Sequence, residues 1–274
     1  CDWSSDVCSS DLLVSEAYRT DPKRIKKILG FPVNIITLKE TVALLEETLA
    51  QGEKTRKKIR VVTVNPEMLM MGLKDQQLAA ALYDGDLLVP DGIGIVWALR
   101  LFGAKQYQRV TGVDLVEELL ERRKSTGLGI YLLGGEPGVV EEASFNIGQR
   151  WPMLTVTGLH HGYFSPEEHQ IIVEDINRTK PDLLLVGMGV PRQELWLAQH
   201  WETLKVTIGI GVGGLLDLWA GRTGRAPQMM RRIGLEWVYR TWREPTRYER
   251  LKVLPEFIKE VWKERRVVKG RVRY

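Results

Sequence analysis

Cysteine is almost missing from this chain of 274 residues: Cys1 and Cys8 are the only two. Everything after Cys8 is cysteine-free, so the fold does not rest on disulfides, and a reducing, cytoplasmic setting fits. No run approaches the roughly eighteen apolar residues of a membrane-spanning helix, so none is expected. The glycine-rich segment YLLGGEPG is not a Walker sequence and lacks the full dinucleotide fingerprint. It shows no Ser/His/Asp or cysteine nucleophile arrangement. His160 and His161 have no third ligand at a metal-site spacing, so no metal site is expected. Repeats and low-complexity tracts are absent from the body of the chain.

What remains is globular composition, 44% hydrophobic and 27% charged, enough for one large domain or one domain with an appendage. The net charge of +4 conceals an asymmetry. Residues 222–274 carry 16 Lys/Arg against 6 Asp/Glu, a net of +10, whereas residues 1–221 carry 23 against 29, a net of −6. An acidic body with a basic tail suits an anionic partner: nucleic acid, a phospholipid surface or a phosphorylated substrate. The first twelve residues, CDWSSDVCSSDL, are Ser/Asp/Cys-rich, have no signal-peptide apolar core and resemble translated adapter sequence. They are set aside as non-native, leaving residues 13–221 as the body and 222–274 as a basic helical appendage.

The body alternates short apolar runs with helical patterns. FPVN precedes an amphipathic helix with Val42, Leu45 and Leu49 at helical spacing. KKIRVVTV runs into Asn65 and Pro66, and DLLVP into DGIGIVWALR. GIYLLGG, LTVTGLH, DLLLVGMG and VTIGIGVGG each precede a further helix. Continuous Val/Ile/Leu runs of this kind predict an α/β fold: a Rossmann-like, mostly parallel sheet with helices on both faces, plus a helical C-terminal appendage. Ligands of such sheets bind beyond the strands' carboxyl ends. That rule singles out Asn65/Pro66, Asp91/Gly92, Gly134/Gly135, His160/His161, Gly187–Gly189 and Gly211–Gly214.

Each candidate has a functional and a structural reading. Asp91 either serves as a general base in the cleft or caps the helix that follows it. Thr63 and Asn65 share one strand face and either bind a sugar or phosphate or, for Asn65, close a turn before Pro66. Gly134, Gly135, Gly211 and Gly213 let backbone approach a phosphate, or simply turn. Gln193 offers an amide suited to a uracil edge or a sugar hydroxyl, or else stands on an exposed first turn. Asp84-Gly85-Asp86 has the D-x-D spacing of a metal–nucleotide site but precedes its strand, so a turn is expected there. In the tail, Arg240, Arg243, Arg247 and Arg250 recur at spacings of 3, 4 and 3, with Pro245 breaking the helix between them. Leu254, Phe257, Ile258, Val261 and Trp262 form an apolar stripe edged by Lys259, Lys263, Arg265 and Arg266, either a membrane-interface helix or one packed on the domain.

Eight segments together carry a resemblance: TVNPEMLM, LLVPDGIGIVWA, RVTGVDL, YLLGGEPG, HHGYF, VGMGVPRQELW, GVGGLLDLWAGRTGRAPQ and GLEWVYRTWREPTRYERL. In order and spacing, from about Phe31 to Phe257, they resemble the WecG/TagA/CpsF family of bacterial glycosyltransferases. The resemblance implies transfer of an N-acetylmannosamine-type sugar from a UDP-sugar donor to N-acetylglucosamine on undecaprenyl diphosphate, with inversion, without a metal and without a cofactor. The product would feed wall teichoic acid or a related surface polysaccharide. Donors within the family differ, and nothing in the sequence separates N-acetylmannosamine from its uronic acid or another hexose. By resemblance Asp91 matches the proposed base, Thr63, Asn65, Arg109 and Gln193 match pocket positions, and Arg240, Arg247 and Arg250 match arginines of an appendage that folds over the site. Guanidinium groups suit a diphosphate. The implied setting is the cytoplasmic face of the bacterial membrane, held peripherally on anionic lipid, with the tail's first half serving the diphosphate and its second half, from Leu254 onward, facing the bilayer. A homo-oligomer is left open. Two rivals stand beside this reading: a non-catalytic UDP-sugar sensor that docks on membranes, and a nucleic-acid binder. The acidic body, and tail aromatics at helical spacing rather than on a stacking sheet, argue against nucleic acid. Sequencing the gene from source DNA should show the reading frame without codons 1–12; finding them in frame would make that segment native.

Overall fold

The computed structural model describes residue 18 and residues 21–51, 58–105, 108–227, 229–230, 239 and 252–271. Residues 1–12 and Arg240, Arg243, Arg247 and Arg250 lie outside the described residues.

The first two strands form a hairpin, β1 (Ile25–Ile28) antiparallel to β2 (Phe31–Asn34). Leu29 and Gly30 turn it with φ of 52° and 88°, the pair of positive angles a two-residue hairpin loop needs. The FPVN strand therefore stands in a small sheet of its own. The Lys26–Lys27 pair hides its partner from any reading of apolar runs. Asn34 pins the hairpin to the main sheet, its Oδ1 accepting the Leu88 N–H at 2.8 Å. A capping box, with Thr37 N–H donating to Glu40 Oε2 at 2.8 Å, then starts α1 (Leu38–Ala50).

The main sheet has six strands: β3 (Ile59–Val64), β4 (Leu87–Pro90), β5 (Gly129–Gly134), β6 (Thr155–His160), β7 (Leu183–Gly187) and β8 (Ile208–Gly211). Their spatial order is β4-β3-β8-β7-β5-β6, and every neighbouring pair is parallel. The expected parallel sheet is thus present. Between the strands run α2 (Pro66–Gly72), α3 (Gln76–Tyr83), α4 (Ile93–Leu101), α5 (Gly112–Arg123), α6 (Val139–Arg150), α7 (Glu168–Thr179) and α8 (Arg192–His200). After β8 come α9 (Leu215–Trp219) and, further along, α10 (Val253–Arg271). The first turn of α3 is capped by Asp75 and that of α5 by Thr111.

Strand alternation divides the core into two covered faces. Val61, Val89, Ile130, Leu132, Leu185 and Ile210 pack under α1, α5, α6 and α9. Val62, Val64 and Leu88 point the other way, under α2, α3, α4 and the hairpin, and Tyr131, Leu133, Leu184 and Val186 under α7 and α8. The Asp84–Asp86 segment is the expected turn, at the amino ends of the strands. Asp84 is the C-cap of α3, and Asp86 exchanges hydrogen bonds with the Arg60 backbone at 2.8 and 3.0 Å.

The apolar stripe of α10 does not face one way. Phe257 and Val261 are fully buried among Met68, Leu69 and Ile95, with the Phe257 ring edge-on to Trp97 at 6.5 Å. Glu264, one helical turn further on, accepts the Leu29 and Gly30 N–H groups at 2.7 and 3.1 Å. The expectation that everything from Leu254 onward turns to a bilayer is therefore corrected: half the stripe closes the core over α2 and α4. Ile258 and Trp262 stay 44% and 42% exposed on the helix flank. Replacing Phe257 by alanine should cost about 3–5 kcal/mol. Thermal melting should show that as a Tm drop of roughly 10 °C, whereas Trp262→Ala should leave the Tm nearly unchanged.

Candidate active site

All six strands of a parallel sheet end at the same edge, and here that edge is where the polar candidates gather. Asp91 follows β4 directly, and its N–H donates to Val64 O at 2.8 Å, which sets it beside Asn65 at the end of β3. Val110 N–H donates to Pro90 O at 2.8 Å, which brings Arg109 alongside the same strand end. Thr63 is buried, and its hydroxyl donates to Gly211 O at 3.2 Å, tying β3 to β8. The structure thus brings Thr63, Asn65, Asp91, Arg109 and Gly211 together over three adjacent strands.

Local chemistry decides between several of the alternatives. Gly92, with φ of 90°, occupies the N-cap position of α4, one residue after Asp91. Asn65 caps α2, its Oδ1 accepting the Met68 N–H at 2.9 Å ahead of Pro66. Gly112, at the start of α5, sits against Thr63 and Gly211: a Cβ there would lie 3.5 Å from Thr63 Cγ2. The first turns of α2, α4 and α5 therefore open at this cluster, and their N-terminal dipole ends favour a bound anion.

Gly134 and Gly135 stand further along the same edge. A Cβ on Gly134 would fall 2.4 Å from Gly187 O, so only glycine permits β5 and β7 to end so closely. The chain leaves β5 toward β6 and leaves β7 in the opposite direction toward β8, which makes a switch point between them.

Of the two readings of Gln193, the exposed first turn does not hold, and its neighbour Glu194 is buried with it. Both are only 2% exposed. Gln193 Oε1 accepts the N–H groups of Gly189 and Gly213 at 3.2 and 3.0 Å, and its Nε2 donates to Glu194 Oε1 at 2.8 Å. Its amide is thus engaged within the protein, by the loops after β7 and β8. The sequence sets Glu194 beside Gln193 facing the strand ends, but nothing local marks a first-turn glutamate as buried. The signal was in the partner strand, where Gly209 and Gly211 leave a trough for α8: a Cβ on Gly209 would lie 2.7 Å from the Trp201 ring. Burial pushes the Glu194 carboxyl up to about 7, against hydrogen bonds from Gln193 and its own backbone and the distant Arg60 charge. The four histidines, His160, His161, His169 and His200, also come together in space, through ring contacts that include Phe164. Among the described residues no three His, Cys, Asp or Glu side chains gather as metal ligands would, and no helix is long and apolar enough to cross a membrane.

A cavity of about 280 Å³ lies elsewhere, lined by Asn146, Arg150, Trp151, Trp219 and Arg225 among others. It belongs to the later turns of α6 and α9, which run away from the strand ends, and the polar cluster at the carboxyl edge is the better candidate on chemistry.

A doubly covered parallel sheet with polar side chains and helix N-termini at its carboxyl edge defines an α/β protein whose strand ends favour an anion. The chain belongs to the glycosyl transferase WecG/TagA/CpsF family, whose model matches residues 26–271. It is similar to the N-acetylglucosaminyldiphosphoundecaprenol N-acetyl-beta-D-mannosaminyltransferase of Staphylococcus aureus strain MW2, at 32% identity over 242 residues, covering 88% of this chain and 94% of the relative. The proteins of the same name from strains NCTC 8325 and MRSA252 are 32% and 31% identical over the same share of both chains.

The raised Glu194 value has a consequence for stability. The folded state keeps a proton that the unfolded chain releases from its ordinary 4.5, so the Glu194 contribution to stability falls as pH rises from about 4.5 to 7 and is flat above. Glu194→Gln, which cannot ionise, should match the parent's Tm near pH 4.5 and exceed it by several degrees at pH 8, as read by melts across that range.

Proposed function

We propose that this protein transfers N-acetylmannosamine, or a related hexose, from a UDP-sugar to N-acetylglucosamine on undecaprenyl diphosphate, with inversion and without a metal or other cofactor. The observation that supports this most is the grouping of Asp91, Asn65, Thr63 and Arg109 at adjacent strand ends in a member of this family. The relatives' shared name supports the acceptor and the sugar moved. Pathway assignment follows from that acceptor: the product enters teichoic acid or a related surface polysaccharide.

In this reading the acceptor hydroxyl oxygen attacks the anomeric carbon from the face opposite UDP. Asp91 takes the hydroxyl proton as the new C–O bond forms. The bond to the diphosphate breaks, and UDP leaves with the electron pair. Helix N-termini at the carboxyl edge and arginines of the appendage, Arg240, Arg247 and Arg250, would stabilise the departing charge. Thr63, Asn65, Arg109 and Gln193 would shape the pocket, Gln193 through the loops it holds. Gly134, Gly135, Gly211 and Gly213 would allow close backbone approach to the donor.

Residues 13–221 act as the catalytic body and 222–274 as an appendage that completes the site. The enzyme would work on the cytoplasmic face of the membrane, held peripherally on anionic lipid. The exposed flank of α10, Ile258 and Trp262 with Lys259 and Arg266, suits an interface better than its buried face does.

Asp91→Asn should abolish transfer to a short-chain lipid-diphosphate acceptor while leaving the fold and UDP-sugar binding intact. Near-normal turnover would remove Asp91 as the base, and binding without any UDP release in the parent protein would favour a sensor. Joint replacement of Arg240, Arg247 and Arg250 by alanine should lower turnover at least tenfold in the same assay, about the effect of losing charged donors to the leaving group.

A further inference from the structure

Gln193 holds two loops with one atom. Its Oε1 accepts from Gly189, in the loop after β7, and from Gly213, in the loop after β8. The oxygen and nitrogen ends of an amide are nearly the same size, so shape alone does not fix which end meets the glycines. Turned over, Nε2 would confront two N–H donors and both contacts would be lost.

Glu194 reinforces the orientation that the two glycine N–H groups favour. Its Oε1 accepts the Gln193 Nε2 hydrogen at 2.8 Å and so rewards only the orientation in which the oxygen faces the glycines. The pairing needs a bare strand beneath it: a Cβ on Gly211 would lie 2.7 Å from Gln193 Nε2 and 2.8 Å from Glu194 Oε1. Glu194 is 2% exposed, and its second oxygen has no hydrogen-bond partner among the described residues. Arg60, on β3, is the charged group that acts on it, and Arg60 is itself drawn toward Asp86 and Asp84. A half-satisfied buried carboxyl is a costly way to start a helix. Holding the amide of Gln193 gives that cost a purpose.

We propose that Glu194 is a positioning residue for sugar transfer: it orients the Gln193 amide, which clamps together the two glycine loops bordering the donor cleft. It touches neither substrate nor reacting atoms. The inference rests on the glycosyltransferase reading for its kinetic consequence, but the clamp can be measured without it.

The test compares Glu194→Leu, which keeps the bulk and loses the acceptor, with Glu194→Gln, which keeps an acceptor oxygen. Glu194→Met, also without an acceptor but more adaptable, guards against a fold loss peculiar to leucine. Amide hydrogen exchange at Gly189 and Gly213 is followed in each folded variant. Steady-state kinetics use UDP-N-acetylmannosamine and a short-chain lipid-diphosphate acceptor. In the leucine or methionine variant both glycine amides should exchange on the order of tenfold faster, and the donor KM should rise by a similar factor with kcat less affected. The glutamine variant should stay within about threefold of the parent on all three measures. Unchanged exchange in the variants lacking an acceptor, or a glutamine variant as impaired as they are, would overturn the proposal. Absence of transfer by the parent protein itself would instead count against the glycosyltransferase reading, and the exchange data would still judge Glu194.

Discussion

A parallel sheet imposes one constraint from which the rest of this molecule follows. Each strand must be followed by a crossover that returns the chain to the same starting edge, so all strands begin at one edge and end at the other. The turns leaving β3, β4, β5, β7 and β8 therefore share a rim, although they are far apart in sequence. Asp91 meets Asn65 there because β4 pairs with β3, and Thr63 meets Gly211 because β3 pairs with β8. Helices starting at that rim point their N-terminal ends at it, so a preference for anions comes with the topology. In the proposed transfer from a UDP-sugar, that preference would match the diphosphate leaving group.

Glycine tunes how tightly the layers close. On β8 the alternation Ile208-Gly209-Ile210-Gly211 puts isoleucine into one core and a bare track under α8 on the other face. Trp201 fills the space over Gly209, and the Gln193–Glu194 pair fills the space over Gly211. That second filling is polar, and it links the loops after β7 and β8 into one unit. The same close approach recurs where Gly134 meets Gly187. Rigid placement of the rim thus depends on residues that have no side chains at all.

The appendage illustrates how one amphipathic stripe can serve two ends. Phe257 and Val261 complete the core above α2 and α4, and Glu264 fastens the helix to the turn of the β1–β2 hairpin. Ile258 and Trp262, about a third of a turn round the helix, are left outward among basic residues. Docking on the body is then compatible with the proposed contact with a lipid surface, because the two would use different flanks of the helix.

How much of this was legible beforehand follows from range. Apolar runs such as RVVTV and LLLVG, caps such as Asn65-Pro66, and the order of eight motifs are local properties, and they determined the α/β class, the parallel sheet, the family and the short roster of strand-end candidates. The hairpin was hidden because two lysines interrupt its first strand, and α5 was read only as part of a motif. Pairing order, the burial of Gln193 and Glu194 and the split of the α10 stripe were decided only by tertiary structure. Each depends on what a distant segment places opposite: glycines of β8 facing α8, or α2 and α4 facing Phe257. A side chain's own sequence neighbourhood carries its conformational preferences, but its solvation is set by the surface packed against it, and that surface comes from elsewhere in the chain.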